Sequence, residues 1–129
     1  MMVADTNLWA RAYLNDDASQ SRKARKVLAD ARSKGGVFVP LIVLAELAWV
    51  LRGTWQRDRV LSTLESLLQT RGITVESPDL ALNAVKATRE GQGGFADHLI
   101  AQIGFANGPK EVLTFDDKFS KSPGVRRVK

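Results

Sequence analysis

The chain has 129 residues, with 19 Lys plus Arg against 14 Asp plus Glu, and so carries a formal net charge of +5. It has no cysteine and one histidine, which excludes disulfides and argues against a structural zinc site. No apolar run reaches the roughly 18 residues of a membrane span, and the N-terminus has the pattern of neither a signal nor a transit peptide. We therefore expect one cytoplasmic domain over residues 1–129.

The predicted elements alternate between short strands and helices along the chain. The expected strands are residues 2–4, 37–39, 73–75, 111–115 and 125–128. The expected helices are residues 8–14, a helix that follows a loop at Asp16 and Asp17 and is ended by Gly35 and Gly36, and residues 41–51, 57–71, 78–90 and 95–107. Such alternation predicts an α/β domain with a mainly parallel sheet and helices on both faces.

Basic residues cluster in two segments. Residues 20–34 hold six of them with one acid, and residues 118–129 hold five with none. A basic surface suits a polyanionic partner, nucleic acid first. A merely solvated face is the alternative, and charge alone does not decide between the two.

The segment Leu41–Leu51 is apolar at ten of its eleven positions, and the exception is Glu46. Burying a lone carboxylate costs on the order of several kcal/mol. The residues three and four positions away on a helix include no cation that could pair with it. Glu46 must therefore be protonated, reach solvent at a cleft, or meet a positive partner from elsewhere in the chain.

Three further acids occupy positions where functional residues gather in parallel α/β folds. Asp5 and Asp116 follow predicted strands, and Asp97 lies near the start of an apolar helix. Each has an ordinary explanation: a turn for Asp5, a helix-dipole contact for Asp97, and a loop pair of Asp116 with Asp117. Taken together with Glu46, they indicate a site for Mg²⁺ or Mn²⁺, because clustered carboxylates repel unless a cation neutralises them.

Four segments, in this order and spacing, resemble the PIN-domain family and within it the VapC-type ribonuclease toxins. They are residues 3–7 (VADTN), the lone Glu46 in its apolar helix, residues 95–101 (FADHLIA) and residues 113–119 (LTFDDKF). The resemblance implies a three-layer α/β/α fold with the acids in one pocket. It implies that Asp5, Glu46, Asp97 and Asp116 bind Mg²⁺ or Mn²⁺, and that Thr6, Asn7 and Thr114 support them. Asp117 and His98 have no family role, and His98 is expected on the helix surface or in packing, with RNA contact the alternative.

The resemblance also implies an activity and partners. The activity is metal-dependent endonucleolytic cleavage of RNA, leaving a 5′-phosphate and a 3′-hydroxyl. The partners are a cognate antitoxin and a second copy of the chain. Trp9, Trp49 and Trp55 are candidates for the antitoxin groove, while Trp9 and Trp49 have the core as their alternative. Candidate RNA-binding residues are Arg22, Lys23, Arg25, Lys26, Lys118, Arg126 and Arg127.

Three other functions are alternatives to this one. A haloacid-dehalogenase-type phosphatase needs a second carboxylate two residues after Asp5, and that position holds the neutral Asn7. A phospho-receiver needs an acid paired with Asp5 and a lysine on a late strand end, and neither is clear. A non-catalytic PIN-like module that binds RNA or protein stays open.

Overall fold

The computed structural model describes residues 1–129, and its elements follow the predicted alternation. The strands are β1 (Met2–Val3), β2 (Val37–Val39), β3 (Ile73–Val75), β4 (Val112–Thr114) and β5 (Val125–Arg127). The helices are α1 (Thr6–Leu14), α2 (Ala18–Ser33), α3 (Leu41–Arg52), α4 (Arg57–Gln69), α5 (Pro78–Glu90) and α6 (Phe95–Ala106), with a short 3₁₀ turn at Phe119–Lys121.

All the strand pairs are parallel. β2 lies between β1 and β3, with Met2 opposite Val37 and Val39 opposite Val75. β4 and β5 form a second hydrogen-bonded pair. Parallel neighbours present their carboxyl ends at the same edge of a sheet. The segment that follows β1 therefore lies on the same side as the segment that follows β2.

The start of α1 is set by Asp5. Its side chain accepts a hydrogen bond from the backbone N–H of Leu8 at 3.0 Å. A carboxylate at this position satisfies one of the free N–H groups of the first turn and interacts favourably with the helix dipole. The helix consequently begins at Thr6, two residues before the predicted start.

Helix α3 supplies the centre of the hydrophobic core. Leu44, Leu47 and Leu51 are completely buried, and Val39 of the preceding strand is buried with them. The spacing of three and four residues puts the leucines on one side of the helix. The other side bears Ile42, Trp49 and Val50, all of which are exposed.

An aromatic group closes the core beside α1. Tyr13 stacks on Trp9 with ring centroids 6.3 Å apart and meets the edge of Trp55 at 6.0 Å. Burial raises the pKa of Tyr13 to about 12, against a smaller lowering by the charge of Arg32.

None of the helices combines the length and the apolar character that crossing a membrane requires.

Tyr13 predicts an alkaline loss of stability. The pKa of Tyr13 is higher in the folded protein than the value of about 10 in an unfolded chain. The contribution of its burial to the free energy of unfolding is therefore complete below pH 10. That contribution should fall between pH 10 and pH 12, by up to about 1.4 kcal/mol per pH unit. Tyr13 is the only tyrosine, so tyrosinate absorbance should titrate near pH 12 in the native protein. Tyr13→Phe should lack this part of the alkaline loss, and a native midpoint near pH 10 would contradict the account.

Candidate functional site

The first part of the candidate site joins α1 to α3. Thr6 Oγ1 donates a hydrogen bond of 2.7 Å to Glu46 Oε1, across 40 positions of sequence. Asp5 immediately precedes Thr6 and is itself exposed. This contact places two of the predicted acids, Asp5 and Glu46, on neighbouring elements at the carboxyl side of β1 and β2.

The surroundings of Glu46 decide between the three alternatives for a carboxylate in an apolar helix: protonation, access to solvent, or a positive partner. Its side chain is exposed, and it forms no ion pair. Of the three, reaching solvent is therefore the correct one. A run this apolar is expected to be buried on most sides. In α3 the side that bears Leu44, Leu47 and Leu51 is buried, whereas the opposite side is exposed.

Asp97 lies in the first turn of α6. Its Oδ2 accepts a hydrogen bond of 3.1 Å from the backbone N–H of Gly94, so the side chain closes the N-terminus of its own helix. The preceding Gly93 has φ +92°, and a Cβ there would lie 3.3 Å from Asp97 Oδ2 and 3.3 Å from the Phe119 Cβ. Gly93 thus lets the loop pass close to both residues.

Asp116 is positioned by the end of β4 and by the 3₁₀ turn. Its Oδ1 accepts from the backbone N–H of Phe119 at 3.0 Å, and its own N–H donates to Thr114 Oγ1 at 3.0 Å. Asp117 is instead paired with Arg127 at 3.2 Å. The two adjacent acids therefore have different environments, and Thr114 supports the backbone of Asp116.

His98, the residue after Asp97, is buried and packs against residues near Asp97. It is only 2% exposed, and its Nε2 lies 2.6 Å from the carbonyl oxygen of Gln92. A carbonyl can only accept, so this nitrogen carries the proton. The ring meets the edge of Phe119 at 5.1 Å. His98 therefore packs between the loop before α6 and the turn after Asp116, and of its predicted roles packing is the correct one.

The contacts group the four acids as two neighbourhoods. In the first, Thr6 links Asp5 to Glu46. In the second, Phe119 lies between Asp97 and Asp116. No three acidic or histidine side chains lie close enough together to hold one metal ion. The all-oxygen donor chemistry suits Mg²⁺ or Mn²⁺. The spacing does not provide a ready-made metal site, so the convergence of all four acids stays a prediction.

The predicted RNA-binding residues are not equally available. Arg22, Lys23 and Lys26 are exposed on α2 and form no ion pair. Lys23 lines a groove of about 410 Å³ together with Asp5 and Asn7.

The other predicted cations include three with partners inside the protein. Arg25 donates to Ser21 Oγ at 2.5 Å and to the carbonyl of Ala12 at 3.3 Å. Arg126 pairs with Glu111, and Arg127 pairs with Asp117. The two exposed ion pairs are weak, yet these contacts together give the three arginines a role that does not need RNA.

Arg57 is a positioning residue that the sequence analysis missed. It donates to the carbonyls of Thr88 and Gly91 and so ties the start of α4 to the loop before Asp97. One signal was present in the sequence: a cation in the first turn of a helix opposes the helix dipole. Such a residue is better explained by a contact outside its own helix.

The three tryptophans have different environments. Trp9 is buried, which agrees with the core alternative for that residue. Trp55 is half-buried, and the guanidinium of Arg59 lies 3.8 Å from the centre of its ring. Trp49 is 79% exposed, so the core alternative is wrong for it.

Comparison with known proteins agrees with this fold. The PIN domain matches residues 2–124, so the chain belongs to the PIN-domain family. The predicted family and the three-layer α/β/α architecture with a parallel sheet are thereby confirmed. The chain is also similar to a VapC ribonuclease of Aquifex aeolicus (strain VF5), at 27% identity over 112 residues, which cover 84% of this chain and 83% of the relative.

Gly93 provides a test of how tightly Asp97 is held. We expect Gly93→Ala to destabilise the protein more than Gly108→Ala does. Gly108 also has a positive φ, of +109°, but a Cβ there would meet nothing within 4 Å. Both variants incur the left-handed penalty of roughly 1–2 kcal/mol, and only Gly93→Ala adds a contact with Asp97 and Phe119. Denaturant unfolding would measure both, and equal losses would contradict this reading.

Proposed function

We propose that this protein is a Mg²⁺-dependent endoribonuclease and the toxin component of a toxin–antitoxin pair. The observation that carries the proposal is the state of the four acids in a PIN domain. None of Asp5, Glu46, Asp97 and Asp116 forms an ion pair, although the protein has a net charge of +5. They remain available to a cation from solution.

The supporting side chains orient the acids for this role. Thr6 holds one oxygen of Glu46, Thr114 holds the backbone of Asp116, and the N–H groups of Leu8 and Gly94 hold Asp5 and Asp97. Each carboxylate has a second oxygen that these bonds do not use. Hydrogen-bonded carboxylates keep their direction, which is what a ligand set requires. Mn²⁺ would suit the same donors.

Bound Mg²⁺ would polarise a phosphodiester and lower the pKa of a nearby water. The chain itself supplies the grip on the RNA. Lys23 lies in the groove that contains Asp5, and Lys118 lines a cavity that contains Asp97. These two cations suit backbone phosphates on the two sides of the acids. In the proposed reaction, water attacks the phosphorus in line and gives up a proton to solvent. The bond between phosphorus and the 3′-oxygen breaks and that oxygen takes up a proton, which leaves a 5′-phosphate and a 3′-hydroxyl.

The proposed protein partners are a cognate antitoxin and a second copy of this chain. Large apolar side chains are exposed on α3, α6 and β4, at Ile42, Ile100 and Leu113. Exposed apolar surface of this kind is what a protein partner covers. The similarity to a VapC ribonuclease supports the ribonuclease half of the proposal.

A non-catalytic PIN-like binding module is the second candidate. It is favoured by the absence of any three acids within reach of one metal ion. In that case the basic side chains would bind RNA, and the acids would hold only local structure.

A cleavage assay separates the two functions. Purified protein, free of antitoxin, would be incubated with total cellular RNA in Mg²⁺ or Mn²⁺, and in EDTA. We expect discrete products with 5′-phosphate ends that depend on metal and disappear in Asp97→Asn. Asp30→Asn, which changes an exposed acid on α2, is the matched control and should cleave like the wild type. RNA binding without any cleavage would favour the module.

Glu46→Gln tests whether Glu46 acts through its charge. Glutamine keeps the size of the side chain and an oxygen that can accept from Thr6. We expect the loss of cleavage with a stability in metal-free buffer that is unchanged within about 0.5 kcal/mol, or higher. Thermal unfolding in EDTA and cleavage in Mg²⁺ would measure the two effects. A large loss of stability would instead show that Glu46 is a structural residue.

A further inference from the structure

A cavity of about 460 Å³ adjoins Asp97. It lies between the second half of α3, the start of α4 and the loop of residues 91–94. Its inner wall is apolar and includes Ala48, Val60 and Leu61. This volume is within the range of about 300–1,000 Å³ that is usual for small-molecule sites.

The aromatic wall of the cavity is a free tryptophan. Trp49 is 79% exposed, and no aromatic ring or cation packs on its face. Trp55, by contrast, is covered by Tyr13 and Arg59. An exposed indole ring at the wall of a cavity is the kind of surface on which a nucleobase stacks.

The charges around the cavity suit a phosphate. Arg52, Arg57 and Lys118 line it against the single carboxylate of Asp97. Arg52 and Lys118 form no ion pair, so both are available to a ligand. Arg57 is held by the carbonyls of Thr88 and Gly91, which fixes the loop that forms one wall. The cavity therefore combines an aromatic face, two free cations and a rim that Arg57 ties to α4.

We propose that this cavity binds one nucleotide of single-stranded RNA, next to the phosphate that is cut. The base stacks on Trp49, and Arg52 and Lys118 hold the backbone phosphate. The placement relative to the cut rests on the proposed function, because it takes Asp97 as part of the cleavage site. Base preference at this nucleotide then depends on the fit to the cavity between Trp49 and the loop of residues 91–94.

Binding would be measured first, by fluorescence anisotropy of a labelled single-stranded RNA of mixed sequence, with the full chain in EDTA. We expect Trp49→Ala to weaken binding about 10-fold and Trp49→Phe to weaken it much less, since stacking on phenylalanine persists. Ile42→Ala, which removes another exposed apolar side chain from the same helix, should stay within about two-fold. Arg52→Gln should weaken binding more than Lys86→Gln, which removes an exposed lysine of α5 from outside the cavity.

Cleavage kinetics and cleavage-site mapping, with the wild type and Trp49→Ala, then separate this inference from the proposed function. A raised KM and relaxed base preference in the variant support the cavity. Cleavage by the wild type with unchanged affinity and preference in Trp49→Ala would overturn the inference while the nuclease stands, and would leave Trp49 to a protein partner. Trp49-dependent RNA binding without metal-dependent cleavage would support a nucleotide site and overturn the nuclease.

Discussion

The orientation of helix α3 is the constraint on which the site depends. Three leucines that are completely buried, Leu44, Leu47 and Leu51, fix which side of the helix faces the core. A helix rotates by about 100° per residue, so the rotation that buries the leucines also turns Glu46 to the surface. There it meets Thr6 at the start of α1. The core thus determines where the Glu46 carboxylate stands, although that carboxylate contributes nothing to the core.

The elements were predictable because each has a local signal, whereas the rotation of α3 was not. Pro78 at a helix start and the spacing of apolar residues in α4 gave bounds close to those observed. In an almost wholly apolar helix, periodicity does not distinguish the buried side from the exposed one. The exposure of Ile42, Trp49 and Glu46 is decided by packing against the rest of the fold, which no short stretch of sequence contains.

The resemblance named the four acids and the supporting residues Thr6, Asn7 and Thr114, but the sequence did not show which contacts these residues make. Asp5 and Asp116 follow strands, as expected of functional residues in a parallel α/β fold. Some of the hydrogen bonds at the site join residues that are far apart in sequence: Thr6 bonds to Glu46 across 40 positions, and Arg57 bonds to the carbonyl of Gly91 across 34. His98 was left with open alternatives because a lone histidine carries no pattern, and only its burial against Phe119 defines its role.

The central claim is that the four acids form one metal centre when the cation binds. Paramagnetic line broadening by Mn²⁺ tests it most directly, since amide signals of the full chain broaden according to their distance from the ion. The account predicts that substoichiometric Mn²⁺ broadens the amides around Asp5, Glu46, Asp97 and Asp116 together, and that Asp97→Asn reduces all four effects. Broadening around only one of the two neighbourhoods, or at the other exposed acids equally, would contradict it.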